Sequence, residues 1–268
     1  MSTNGLVLLP QPRQIKVLDG TFVLHQGARI VCQGEPQSLF PIAARLQQAV
    51  WETQGMEWNL WAGSAEGDPL AQAVLTLDAS ASIPPQGYRL QITPQRVHLT
   101  ASDAAGLFYG VMTLKQMLRQ SAGELPCGQI DDYPDFPSRG VMLDISRDKV
   151  PTLETLFALI DELAEWKINH LELYTEHTFA YRNHREVWAQ ASPMTGEDIL
   201  RLDAYCRERF IELVPNQNSF GHMHRWLKLP RYRHLAECPD GFDWPWGGRS
   251  DEPFSLNPTD PALSLIHI

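Results

Sequence analysis

The sequence has little of what marks several specialised protein classes. Its four cysteines, Cys32, Cys127, Cys206 and Cys238, stand far apart and form no Cys-x-x-Cys pair, so neither a thiol redox motif nor a zinc ribbon is indicated. Basic residues are outnumbered, 22 against 32 acidic ones for a formal net charge of -10, and are nowhere clustered. Nucleic-acid binding runs on concentrated Lys and Arg, so a nucleic-acid partner is not expected. No apolar run approaches the roughly 20 residues of a membrane-crossing helix. The opening stretch from Met1 to Pro10 lacks the basic start and long apolar centre of an export signal. A soluble, cytoplasmic protein without a membrane partner is the expectation. No glycine-rich phosphate loop follows any strand-like segment, which removes the main signature of a nucleotide-binding sheet.

What is present is a chain of 268 residues with 43% hydrophobic side chains, enough to bury a sizeable core. It also carries eight tryptophans, whose indole faces fill cores and also stack on sugar rings. From Gln14 to Cys32 the pattern is strand-like, broken by Asp19-Gly20 and Gly27. Ile42, Ala43, Leu46, Ala49 and Val50 recur at helical spacing, and Gly55 closes that helix. Ala73 to Asp78 reads as a strand. Two runs, Tyr88 to Thr93 and Arg96 to Ala101, alternate with period two around Pro94-Gln95 and predict a hairpin. Ser102 then reads as the N-cap of a helix whose stripe includes Leu107, Phe108, Val111, Leu114 and Leu118. Residues 1–135 are thus expected to form a mixed α+β domain that carries no cluster of convergent polar groups. The Pro- and Gly-containing stretch from Ser121 to Ser138 reads as an interdomain joint.

Residues 136–268 follow a different rhythm. Arg139-Gly-Val-Met-Leu-Asp144-Ile-Ser-Arg147 reads as a strand buried on both faces with a charged exit. A helix follows over Leu153 to Ala164, then a strand over Ile168 to Tyr174. The next helix is capped by Thr195 with Asp198 three residues on, and Ile211 to Val214 forms a third strand. Strand, helix, strand, helix, strand is the unit of a parallel sheet. Each strand ends in different polar groups: Asp144 and Arg147, then Glu176 and His177, then Asn216, Asn218 and His222. Catalytic groups contributed by the ends of several strands are the habit of a (β/α)8 TIM barrel, of which about three strands would be present here.

Arg139 offers a planar fork able to hold two sugar hydroxyls, or is a surface residue of the joint. Asp144 and Arg147 read as a buried ion pair fixing the strand end. Glu176 and His177 serve either as acid and base or as a polar loop. Asn216 and Asn218 supply amide donors and acceptors suited to hydroxyl and acetamide groups. His222-x-His224 lacks a third ligand nearby, so no metal and no cofactor is expected.

Taken together, the stretch Arg139 to Arg147, the stretch Trp166-Lys-Ile-Asn-His-Leu-Glu-Leu-Tyr-Thr-Glu176-His177 and the amide-rich strand ending Phe220-Gly221-His222 resemble the glycoside hydrolase family 20 β-N-acetylhexosaminidases. The preceding segment, with Gly106-Leu-Phe-Tyr-Gly110, is similar to the α+β domain these enzymes carry ahead of their catalytic barrel. The resemblance implies a carbohydrate substrate with a terminal β-linked N-acetylhexosamine. It also implies a retaining reaction in which the substrate's own acetamido oxygen attacks the anomeric carbon, an exception to the two-carboxylate scheme. On it, Arg139 matches an arginine that holds sugar hydroxyls and His222 a histidine that supports the acid. Glu176-His177 stands where the family has Asp-Asp, and Asn216 and Asn218 stand where it has carboxylates. The family's adjacent Asp-Glu pair falls at a fourth strand, beyond residue 268, so no catalytic carboxylate is assigned and the chain by itself is expected to be an inactive fragment. The stretch Leu256 to Leu263 reads as the start of a third barrel helix, and Leu263 to Ile268 as foreign terminal text. Two other readings stand beside this one: a carbohydrate-binding protein that holds sugar on aromatic loops such as Phe242 to Trp246, and a barrel glycosidase using two protein carboxylates.

Overall fold

The computed structural model describes residues 6–261 and 263; the terminal stretch read as foreign therefore lies, beyond Leu263, outside the described residues. The chain divides into two compact units. One holds the residues up to Arg139 together with Asp161–Asn169 and Glu208–Phe210; the other holds Gly140–Ile160, His170–Arg207 and the residues from Ile211 onward. The continuous run of the first unit ends at Arg139, close to the cut near residue 135 that composition suggests, and two short later segments are grouped with it.

Among the described residues, seven strands of the first unit form one mixed sheet. They are β1 (Gln14–Val23), β2 (Arg29–Gln33), β3 (Asn59–Ala62), β4 (Ala71–Leu77), β5 (Tyr88–Ile92), β6 (Val97–Ala101) and β7 (Glu124–Asp132), in the order β1-β7-β5-β6-β4-β2-β3. Two helices, α1 (Pro36–Gln54) and α2 (Ala104–Arg119), pack on it and on each other. The expected hairpin is present as antiparallel β5 and β6, with Ile92 opposite Val97. Gly55 ends α1 with φ +67, the left-handed cap that glycine adopts without strain.

Two expectations are corrected here. The N-cap of α2 is Asp103, whose carboxylate accepts from the Gly106 N–H at 2.7 Å, one residue beyond Ser102. The supposed joint contains β7, which lies between β1 and β5 inside the sheet. Its Leu125, Cys127 and Ile130 are buried, so Pro126 and Gly128, two of the residues that suggest a linker, sit within a paired strand. Pro126 is tolerated beside the irregularity between Val17 and Thr21 of β1. Gly106 shows why α2 settles so closely: a Cβ there would stand 2.1 Å from the Gly87 carbonyl oxygen.

The second unit is built on three parallel strands, β8 (Gly140–Asp144), β9 (His170–Thr175) and β10 (Glu212–Gln217), in the order β10-β9-β8. Between them run α3 (Leu153–Glu165) and, after the short α4 (Arg185–Trp188), α5 (Gly196–Arg207). Thr195 and Asp198 form the expected capping box: the Asp198 N–H donates to Thr195 Oγ1 at 3.1 Å, and the Thr195 N–H donates to Asp198 at 2.9 Å. Phe157 of α3 and Tyr205 of α5 meet with ring centroids 4.3 Å apart.

Register decides which side chains share a face. Glu172 pairs with Met142 and Val214, and Tyr174 pairs with Asp144 and Asn216. One face therefore carries Met142, Asp144, Glu172, Tyr174 and Asn216, while Leu171 and Leu173 are buried on the other. The expectation that the first strand is buried on both faces fails: Met142 is 56% exposed, because it lies on the polar face of β8, an edge strand of this sheet among the described residues. Beyond β10 come α6 (His224–Leu227), a turn of 3-10 helix at Arg233–Leu235, and a hairpin of β11 (Phe242–Asp243) and β12 (Arg249–Ser250). In the stretch expected to begin a third barrel helix, Leu256 pairs with Ala236, the chain turns at Asn257 to Asp260, and the Leu263 N–H donates to the Asp260 carbonyl at 3.1 Å in a helical turn; any continuation lies outside the described residues.

Candidate functional site

The C-terminal ends of the three parallel strands bring a carboxylate, a phenol, an amide and an imidazole together. Tyr174 and Glu176 are two residues apart at the end of β9 and therefore project to one side. The Tyr174 hydroxyl donates to Glu176 Oε1 at 2.9 Å and accepts from Asn218 Nδ2 at 2.7 Å. His222 brings Nδ1 to 3.6 Å from the same Glu176 oxygen. It does so from a left-handed backbone, φ +54, a conformation a non-glycine residue holds only when its surroundings enforce it.

The backbone of Glu176 is clamped as well. Its N–H donates to Ser146 Oγ at 2.6 Å, and its carbonyl accepts from the Trp226 indole at 2.6 Å and from Gln217 at 3.1 Å. Glu176 is 2% exposed, the one buried carboxylate among the described residues of this unit. Burial and the neighbouring Glu176 carboxylate raise the Tyr174 phenol above its ordinary value, against the opposing Asn218 hydrogen bond. The phenol therefore stays protonated and keeps donating.

Asn216 extends the polar face one step toward the strand interior, where its amide donates to Glu172. The Asn216 backbone carbonyl accepts from Thr175 Oγ1 at 2.9 Å. Asp144 and Arg147 pair at 2.5 Å, as expected, but the pair is not buried: the Arg147 side chain is 58% exposed, with its guanidinium carbon 5.5 Å from the Tyr174 ring centroid. Asp144, first in effect, raises the Arg147 pKa still further. Arg147 is thus a fixed, permanently charged fork at the strand ends. Its place in sequence read only as a structural partner; the signal that could have found it is its position past the C-terminal end of β8.

Arg139 is placed otherwise. It precedes the first residue of β8, at the N-terminal end of that strand, and its fork is engaged there. Nε donates to the Lys167 carbonyl at 2.8 Å, and Nη1 donates to the Phe136 carbonyl at 2.8 Å and to Gln86 at 2.9 Å. These partners all belong to the first unit, and Arg139 is absent from the hydrogen-bonded groups at the strand ends. The reading of Arg139 as the sugar-holding arginine is therefore corrected: chemistry in parallel sheets gathers at the opposite strand end.

Glu176 and His177 do not act on one point. His177 lines a separate cleft of about 960 Å³ with Ser146, Thr178, Lys149, Arg225 and Lys228. Its Nδ1 has no partner among the described residues, and burial, followed by the Arg225 charge, lowers its pKa below 6.5. No group of three or more metal-ligating side chains occurs among the described residues.

Both halves of the chain have known relatives. Residues 6–133 match glycosyl hydrolase family 20, domain 2, and residues 136–264 match the glycosyl hydrolase family 20 catalytic domain. A β-hexosaminidase of Akkermansia muciniphila is 32% identical over 172 residues, covering 56% of this chain and 34% of that protein. One from Vibrio furnissii is 28% identical over an alignment covering 96% of this chain and 44% of that protein. In fold, the chain superposes on Streptomyces plicatus β-hexosaminidase with a TM-score of 0.79 at 22% identity, covering 97% of this chain and 54% of that one. The chain thus spans less than half the length of the curated relatives it matches.

Proposed function

The chain belongs to glycosyl hydrolase family 20, and from that premise we propose that it supplies the sugar-holding part of a site that releases terminal β-linked N-acetylhexosamine from glycans. The observation that carries the reading is the buried Glu176 carboxylate at the strand ends, held by Tyr174 with Asn218 and His222 beside it. A terminal pyranose presents several hydroxyls and one acetamide. A carboxylate accepts from hydroxyls, an amide both donates and accepts, and Arg147 offers paired donors from an exposed position.

Mechanistically, the acetamido oxygen attacks the anomeric carbon while the bond to the leaving oxygen breaks and an acid protonates that oxygen. Water then opens the cyclic intermediate with retention. In this scheme the groups of this chain bind and orient the sugar; they do not donate the proton. Glu176 accepts a hydrogen bond from Tyr174, and Asp144 is committed to Arg147, so the arrangement favours sugar orientation over a two-carboxylate displacement.

Calorimetric titration tests this. The chain is expected to bind N-acetylglucosamine saturably, at least about tenfold tighter than glucose, because the acetamide adds on the order of 1.4 kcal/mol. Glu176→Gln should weaken that binding, and residues 1–268 alone should not turn over an aryl N-acetyl-β-glucosaminide. Equal affinity for glucose, or turnover by this chain alone, would contradict the reading.

A further inference from the structure

The hairpin of β11 and β12 carries an aromatic surface with no role in the site so far described. Trp246 is 78% exposed, more than any other large apolar side chain among the described residues. It is not a loose side chain. Its ring stacks on Trp244 at 4.8 Å with 19° between the planes. Trp244 in turn meets Phe242 at 4.5 Å and Phe254 at 5.6 Å, both edge-on.

The backbone beneath is fixed. The Trp244 N–H donates to the Gly248 carbonyl at 2.8 Å, and the Gly247 N–H donates to the Trp244 carbonyl at 3.0 Å. Gly247 and Gly248 both have positive φ, +99 and +90, a turn that side-chain-bearing residues resist. Phe254 then packs against His222 at 4.7 Å. A continuous line of rings runs from the strand-end cluster through Phe254 and Trp244 to the open face of Trp246.

We propose that Trp246 is the platform for a second sugar ring, the one to which the terminal N-acetylhexosamine is linked. This rests on the proposed function above. A pyranose has one apolar face and a polar rim, and the hairpin mirrors that pattern. The Trp246 indole is exposed, while Arg249, the residue after the two turn glycines, pairs with Asp243 and Asp251 at 3.5 Å each and offers hydroxyl partners. A protein partner's apolar patch would leave those exposed charges facing carbon; a sugar's hydroxyls satisfy them. Continuity with His222 sets the direction in which an oligosaccharide would leave the first site.

The test compares N-acetylglucosamine with its β1,4-linked dimer, titrated calorimetrically into this chain and into Trp246→Ala. The dimer should bind the unaltered chain about threefold to tenfold tighter than the monosaccharide, the gain expected of one aromatic-face contact. Trp246→Ala should abolish that advantage and leave monosaccharide affinity unchanged, and Trp246→Tyr should restore part of it. Because Trp246 is exposed, the urea midpoint of Trp246→Ala should match that of the unaltered chain. If the monosaccharide binds and the dimer gains nothing, or if Trp246→Ala keeps the full advantage, the platform is refuted while the first site stands. If neither sugar binds, both readings fall. If Trp246→Ala instead abolishes self-association in sedimentation with sugar affinities unaltered, the surface is an interface between copies and the proposal is overturned.

Discussion

Tyr174→Phe isolates the hydrogen-bond relay at the strand ends without opening a cavity, because the ring stays and only the hydroxyl is removed. Two bonds are lost. One runs from the phenol to the carboxylate of Glu176 at 2.9 Å, the other from Asn218 to the phenol at 2.7 Å. A hydrogen bond to a charged group contributes about 1.5–3 kcal/mol and a neutral one about 0.5–1.5. Glu176 is 2% exposed, so water cannot readily replace the first. Asn218 is only half-buried, so water replaces much of the second and its loss falls at the low end. The expected total is about 2 kcal/mol of destabilisation, read as a shift of the urea midpoint at constant slope. Asn218→Ala should cost less, and the double variant should cost clearly less than the sum, with a coupling on the order of 0.5 kcal/mol or more. A change below about 0.5 kcal/mol for Tyr174→Phe, together with strict additivity, would show that the relay does not hold Glu176.

Other perturbations probe the frame around that site. Gly106→Ala should destabilise the first unit by about 2 kcal/mol in thermal melts despite the better helix propensity of alanine, because the added carbon meets the Gly87 carbonyl. Lys167 is buried with Asp132 at 2.8 Å and Tyr88 at 3.1 Å, so Lys167→Met should cost about 3 kcal/mol in urea denaturation, and adding Asp132→Leu should recover part of it. His177 is held below its ordinary 6.5 by burial and then by Arg225. Below that pH the unfolded chain takes up a proton that the folded chain resists, so stability falls as pH drops from about 6.5. In urea midpoints taken across that range, His177→Phe should flatten the acid-side loss.

Much of this architecture is legible from local pattern, and the failures share a cause. The capping box of Thr195 and Asp198 and the glycine end of α1 involve residues close in sequence, so spacing reveals them. β7 is not legible locally, because Pro126 and Gly128 resemble linker residues until β1 and β5 stand on either side. There a Cβ at position 128 would stand 2.6 Å from the Lys16 carbonyl oxygen, and glycine becomes a requirement of close strands. The polar face of β9 is written in the alternation of Leu171, Glu172, Leu173 and Tyr174, yet its partners Asn216 and Asn218 are some 44 positions away. The exchange of roles between Arg139 and Arg147 has the same origin. Both flank one short strand in the same sequence stretch, and only strand direction tells which stands at the end where polar groups converge.

The proposed function requires the terminal sugar to sit against Glu176. The Trp226 indole N–H, which donates to the Glu176 carbonyl at 2.6 Å, is a reporter at that position, and its resonance in a proton–nitrogen spectrum can be assigned with Trp226→Phe. Titration with N-acetylglucosamine should move this resonance saturably and glucose should move it little, with the response weakened in Glu176→Gln. A Trp226 signal that stays fixed while the sugar binds elsewhere, or that responds equally to both sugars, would contradict the placement of the site.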